Sequence, residues 1–215
     1  MKRKQNWLNH LFNFLAVILG VYLAFYINER AQINQDQNES IMLMNSLLAD
    51  LSKDIKAYEE YQIPVNKQYQ QNVERLLSSL MTNDMDEIGE KISDVLGVEN
   101  FTPSTSTYSS IKASGKLGLI DDLELQKMLT DYYEGLAVES IRKGEYQGDF
   151  FTGELMSWLT NNVDLTDMQL IHTNELIVFR NKLIIYGSLI NQKVESYEMI
   201  VEDSKKLQFQ IESLL

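Results

Sequence analysis

The chain contains no cysteine, which excludes disulfides, thiolate metal sites and cysteine nucleophiles. Only 2 prolines and 10 glycines punctuate its 215 residues, too few for the many turns of a sandwich or barrel. Two histidines are present, one of them inside an apolar run, whereas a metal centre needs three or four ligands. Basic residues are also scarce, 19 against 31 acidic ones, for a net charge of -12. A phosphate backbone demands the opposite sign, so a nucleic-acid partner is excluded. The phosphate cradles G-x-x-x-x-G-K-[ST] and G-x-G-x-x-G and the nucleophile elbow G-x-S-x-G are missing too. What the chain does have is apolar matter: 44% hydrophobic residues, enough to build a core.

Charge is distributed unevenly. The first 30 residues hold Lys2, Arg3, Lys4 and Arg30 against Glu29 alone, while residues 31–215 hold 15 basic residues against 30 acidic ones. A basic, apolar head on an acidic body implies two solvents. From Trp7 to Ile27 no side chain is ionised. As a helix this stretch is roughly 30 Å long, the thickness of the hydrocarbon layer. Trp7 at one end and Tyr22 and Tyr26 near the other suit the two headgroup boundaries. Lys2, Arg3 and Lys4 are the orientation signal. The positive-inside rule puts the N-terminus in the cytoplasm and residues 28–215 outside it, in the periplasm if the membrane is a bacterial inner membrane. A cleavable signal peptide needs a small-residue triplet, and Leu23-Ala24-Phe25-Tyr26-Ile27 offers none. A second span is not expected, because Leu176–Ile190 is interrupted by Arg180, Asn181 and Lys182.

One face of the span is distinctive. Asn9, Asn13, Ala16, Gly20, Ala24 and Ile27 fall within an arc of about 80° at 100° per residue. Ala16-x-x-x-Gly20-x-x-x-Ala24 is a doubled small-xxx-small pattern that lets two backbones approach closely, and the Asn amides gain from a partner in lipid. The pattern predicts self-association, although Ala and Gly are also common in membrane helices at large. His10 lies off this face and has no carboxylate partner, so it reads as a solvated boundary residue.

Beyond the span, residues 28–40 lack Gly and Pro and continue the helix as a stalk. Ile41, Met44, Leu48, Leu51, Ile55 and Tyr58 recur at helical spacing until Pro64, which is expected to end or kink the helix. A second helix carries Tyr69, Val73, Leu76, Leu77 and Leu80. A third starts at an Asn83 cap, carries Met85, Ile88, Ile92 and Val95, and stops at Gly97. Residues 97–110 form the clear loop, and a short helix through Tyr108 and Ile111 ends at Ser114-Gly115. Asp121 and Glu124 read as a capping box, with Ile120 and Leu125 as its staple, opening a helix that runs to Leu159 with kinks near Gly144 and Gly148. A second box is read at Thr166 and Gln169, with Leu165 and Leu170 as its staple. From Leu176 through Tyr186, Ile190, Tyr197 and Ile211 one stripe persists, broken by Ser204. It predicts a helix of about 40 residues, roughly 60 Å long. No period-two alternation is present, so no strands are expected. The fold class is all-α: a cytoplasmic tail 1–6, a transmembrane helix 7–27, a helical stalk 28–40, and an antiparallel helical bundle 41–215 with a long C-terminal helix.

Candidate chemistry is sparse. His172-x-x-Glu175 places two ligand types one turn apart but lacks further ligands, so it reads as a polar helix start. Asp121, Asp122 and Glu124 cluster where a helix macrodipole favours negative charge, which explains them without acid–base catalysis. Tyr132, Tyr133, Phe150, Phe151 and Trp158 could line an aromatic pocket, but rings at helical spacing pack as core. The sequons at Asn38 and Asn100 carry no weight. No catalytic, cofactor or metal residues are assigned.

Two stretches carry a resemblance. Gly20-Val-Tyr-Leu-Ala-Phe-Tyr-Ile-Asn-Glu29 resembles the anchor of an uncharacterised family of single-pass bacterial membrane proteins, a domain of unknown function. Tyr108-Ser-Ser-Ile-Lys-Ala-Ser-Gly115, Leu117-Gly-Leu-Ile-Asp121 and Leu129-Thr-Asp-Tyr-Tyr133 resemble its central signature. This anchor departs from the usual pattern by lacking a Trp after Asn28. The resemblance implies a helical extracytoplasmic domain on an N-terminal anchor, and no activity. The expected function is therefore a non-enzymatic scaffold or accessory subunit. Its partners are the lipid bilayer and either further copies of itself or a membrane protein. The alternative is an extracytoplasmic small-ligand sensor signalling through a partner.

Overall fold

The computed structural model describes residues 2–82, 85–172 and 175–215; the side chains of residues 2–6, 8, 9, 85 and 86 lie outside what it describes. Helix α1 runs Lys2–Ala57 and passes through one π turn, Tyr58–Gln62, into α2, Ile63–Thr82. The unbroken part from His10 to Thr82 has 73 residues, a rod about 110 Å long. Pro64, expected to end or kink the helix, therefore does not end it, for a local reason. Proline has no N–H for the carbonyl four residues back, and the turn just before it widens. The Ile63 N–H bonds the Tyr58 carbonyl, five residues back, so the chain passes the proline without leaving the helix.

Helix α3 (Met85–Ile92) tightens into a 3-10 turn at Ser93–Val95 and gives way to an irregular segment, residues 96–105. The Asn83 cap lies outside the described residues. Helix α4 (Ser106–Ala113) ends as its sequence predicts: Gly115 takes φ 71°, where a Cβ would be strained, and its N–H bonds the Lys112 carbonyl. Helix α5 (Leu123–Thr130) is capped by Asp122, whose Oδ1 accepts from the Leu125 N–H at 2.7 Å. The cap is thus one residue beyond the Asp121 frame, although Ile120 and Leu125 are both buried together. A π turn at Asp131–Leu136 leads to α6 (Ala137–Phe150), and another at Phe151–Leu155 leads to α7 (Met156–Asn162). The departures from α geometry fall at these turns rather than at Gly144 and Gly148. Gly144 instead admits a neighbour, since a Cβ there would sit 2.9 Å from Asn100 Oδ1.

The second capping box is overturned. Thr166 and Gln169 lie in a small antiparallel hairpin, β1 (Val163–Asp164) paired with β2 (Gln169–Leu170), and not at a helix start. Asp164 Oδ1 takes both the Thr166 N–H (2.9 Å) and its hydroxyl (2.6 Å), an Asx turn that outcompetes helical capping. Met168 completes the reversal at φ 57°. These two-residue strands also correct the expectation of none.

The long C-terminal helix is present as α8, Leu176–Glu212, 37 residues and about 55 Å. It lies antiparallel to the rod, and Lys67–Glu198 (2.6 Å) and Gln70–Asn191 (3.3 Å) fix the register. Its buried face joins two apolar clusters stacked along the bundle. One gathers Leu47, Leu51, Tyr58, Leu125, Leu129 and Tyr132 with Tyr197 to Ile211. The other gathers Val73, Leu76, Ile88, Ile92 and Leu159 with Phe179 to Val194. Trp158 stacks on Phe179 at 4.1 Å between ring centroids. Each such ring withdrawn from water stabilises the fold by about 2–3 kcal/mol.

Candidate functional site

The apolar head of α1 stands clear of the bundle. Its most apolar 18-residue window has mean hydropathy 1.9 and none of it is buried, so this helix is long and apolar enough to cross a membrane. Asn13, Ala16, Gly20 and Ala24 are exposed along it. The Asn9 side chain and those of Lys2, Arg3 and Lys4 lie outside the described residues. Gly20 is the informative member. A Cβ there would meet nothing within 4 Å, so no contact in its own chain calls for glycine. Glycine inside a helix nevertheless costs up to about 1 kcal/mol relative to alanine.

A second feature, half-buried, lies at the junction of the two apolar clusters. Residues 96–105 cross there as irregular backbone, whose polar groups need partners. The rod and α8 supply them. Tyr186 donates its hydroxyl to the Gly97 carbonyl (2.7 Å), and the Glu99 carbonyl accepts from Lys193 Nζ (2.9 Å) and Asn66 Nδ2 (3.2 Å). The Phe101 N–H bonds the Tyr197 hydroxyl (3.1 Å), and Asp54 takes the Ser104 N–H (2.6 Å) and hydroxyl (2.8 Å). Asn100 donates to the Gly144 carbonyl (3.1 Å) and accepts from Lys193 Nζ (3.1 Å). Five side chains from distant segments, Asp54, Asn66, Tyr186, Lys193 and Tyr197, thus pin one loop.

Lys193 is the notable member, with 0% of its surface exposed. Burial pushes its amine down to about 7, against a smaller opposing pull from Glu99. The Tyr197 ring lies 6.0 Å from Nζ. Two of the amine's donors are spent on the loop, which it helps to hold. Burial likewise raises the Asp54 carboxyl above its usual range, outweighing the Ser104 hydrogen bonds that lower it. Sequence patterning missed both residues, since a charged residue reads as solvent-facing. The available signal was position: Lys193 sits three residues after Ile190 and four before Tyr197, inside the buried stripe.

The other sequence candidates resolve as structure. Tyr132, Tyr133 and Trp158 are buried in the clusters. Ser204, the break in the α8 stripe, is fully buried and donates to the Tyr132 hydroxyl at 3.0 Å. His172 and Glu175 are exposed. Among the described residues no three His, Cys, Asp or Glu side chains form a metal-sized group. A cleft of about 500 Å³ opens where the stalk meets the bundle, lined by Ile33, Asp36, Ser40, Met44, Asp121 and Leu214 among others.

Rod, bundle and pinned loop define a predominantly helical protein with one small hairpin. The model of a family of unknown function, DUF6090, matches residues 13–157, more than half of the chain, and the chain belongs to that family. No curated protein and no solved structure matches it.

Proposed function

We propose that this protein is a membrane-anchored, oligomeric helical scaffold or accessory subunit without enzymatic activity. It associates through Asn9, Asn13, Ala16, Gly20 and Ala24 and presents its bundle to a partner protein. The anchor is the Trp7–Ile27 span of a bacterial inner membrane, with Lys2, Arg3 and Lys4 on the cytoplasmic side and the bundle outside. Gly20 carries the association: it is helix-weakening, solitary within its chain and centred in a small-xxx-small row. Placing Leu at Gly20 and measuring association of the full chain in membranes tests this. A marked loss of dimer is expected, and unchanged association removes the face. A carboxy-terminal reporter active only outside the cytoplasm is the matching test of orientation.

The sensor reading has one observation in its favour, the cleft of about 500 Å³ at the stalk junction, which combines apolar walls with Asp36 and Asp121. A thermal-shift screen of small cationic and amphipathic molecules against the full chain addresses it. Stabilisation abolished by Asp36→Ala would favour sensing, and no stabilisation counts against it.

A further inference from the structure

Because α1 is unbroken from Lys2 to Ala57, faces assigned in the apolar span can be followed into the bundle at a constant 100° per residue. The bundle-facing row of α1, Met44, Leu47, Leu51, Asp54, Ile55 and Tyr58, is centred about 150° from the Asn13/Ala16/Gly20/Ala24 row. The small-residue face therefore continues along the outer side of α1 as far as Ala49; beyond it Ser52, at the edge of the same arc, already bonds Gln208 of α8 at 2.6 Å. Followed outward at steps of three or four, it presents Ala31, Asn34, Asn38, Met42, Asn45 and Ala49, every one exposed. Met42 is 70% exposed. From Asn9 onward the face carries no charge before Lys56, whereas Glu29, Arg30, Asp36, Glu39, Asp50, Lys53 and Asp54 all fall outside its arc.

We propose that a second copy of this chain packs in parallel, in-register contact along this outer face. Asn34, Asn38, Met42 and Asn45 then extend the seam that Ala16, Gly20 and Ala24 begin. The proposal rests on the membrane anchoring and association proposed above, and it names the partner. Three observations favour a like copy. First, residues 31–215 carry 30 acidic against 15 basic residues, so like copies repel over most of their surface and can approach closely only along an uncharged strip. Second, two chains held at one height by one anchor meet with residue opposite residue, the arrangement of an isologous pair. Amides suit it, since an amide both donates and accepts and can pair with its own copy. Third, the strip from Asn13 to Ala49 is about 55 Å long and about 10 Å wide. Two copies would bury roughly 1,100 Å², close to the lower bound of about 1,200 Å² for specific interfaces. Confinement to a membrane raises effective concentration and offsets the shortfall.

The absence of cysteine makes the test direct. Single-cysteine full-length chains at Asn34, Asn38 and Asn45, with controls at Gln32 and Gln37 on other exposed sides, are oxidised in native membranes. A disulfide needs Cα atoms within about 7 Å, which only facing positions meet. Disulfide-linked dimer is expected several-fold more at Asn34, Asn38 and Asn45 than at the controls. Asn38→Asp with Asn45→Asp, which sets like charges face to face, is expected to cut the dimer formed through Ala31→Cys several-fold. Dimer at Ala24→Cys but not at Asn34, Asn38 or Asn45 overturns this extension and leaves the span's face standing. No dimer anywhere overturns both. Equal dimer at the controls marks random collision and overturns the seam, as do adducts with a different protein in place of the dimer.

Discussion

Replacing Lys193 with Met should change how stability responds to pH more than it changes stability itself. Methionine is unbranched and of similar length, so it fills the same space without the amine. In the native chain the amine titrates near 7 when folded and near 10.5 when unfolded. Below pH 7 it is charged in both states, and burying that charge weighs against folding in full. Above pH 7 the folded chain sheds the proton while the unfolded chain keeps it, so stability rises with pH, by up to about 1.4 kcal/mol per unit. Between pH 7 and pH 9 the native protein should gain about 2 kcal/mol from this group. The Met variant forfeits that gain. It also removes the Lys193 hydrogen bond to Asn100 Oδ1, at a cost of about 0.5–1.5 kcal/mol because Asn100 is exposed to water, while the Glu99 carbonyl keeps Asn66. Urea unfolding of both full-length proteins in mild detergent, followed by far-ultraviolet circular dichroism from pH 6 to pH 9, measures the difference. Groups that titrate alike in both proteins cancel. Native stability minus variant stability is expected to rise by about 2 kcal/mol from pH 7 to pH 9. A difference that stays constant or falls would refute the account of a buried, titrating amine.

Asp54→Ala strips the Ser104 N–H and hydroxyl of their acceptor and should cost about 1–3 kcal/mol. Limited proteolysis should then cut within residues 99–105 faster than in the native chain, and an unchanged rate would mean that Asp54 does not hold the loop. Asp122→Ala should lower stability by about 1 kcal/mol in thermal unfolding, while Asp121→Ala should leave it nearly unchanged. Equal effects would show that the cap has been assigned to the wrong residue.

Features governed by local chemistry were legible in the sequence. The stripe from Leu176 to Ile211 became α8, Ser114-Gly115 became a left-handed helix end, and Tyr132, Tyr133 and Trp158 became core, with Phe150 and Phe151 half-buried against it. Errors arose where neighbouring chemistry competes. Asp122 displaced Asp121 as cap by one residue, and Asp164 drew Thr166 into a turn before a helix could claim it. Pro64 was expected to end or kink the helix, and a single wide turn carries the helix past it. The loop anchors were illegible for a different reason. Lys193 and Asn100, or Asp54 and Ser104, are 93 and 50 residues apart, and no local pattern links them. The buried Lys193 even argues the wrong way, because charge is the usual mark of a surface position. Of the proposed association face, the sequence displayed the small residues within the apolar stretch; its continuation beyond became traceable only once the helix proved uninterrupted.

An uninterrupted α1 also behaves as a shaft without a swivel. On the proposed anchor, the bundle's azimuth and its height above the lipid cannot be adjusted separately. One residue inserted between Asn28 and Gln35 would turn everything beyond it by about 100° and lift it by about 1.5 Å. Seven would lift it by about 10 Å and bring it back to within about 20° of its original bearing. Torque applied to the span would reach the far end of the rod without passing through a joint.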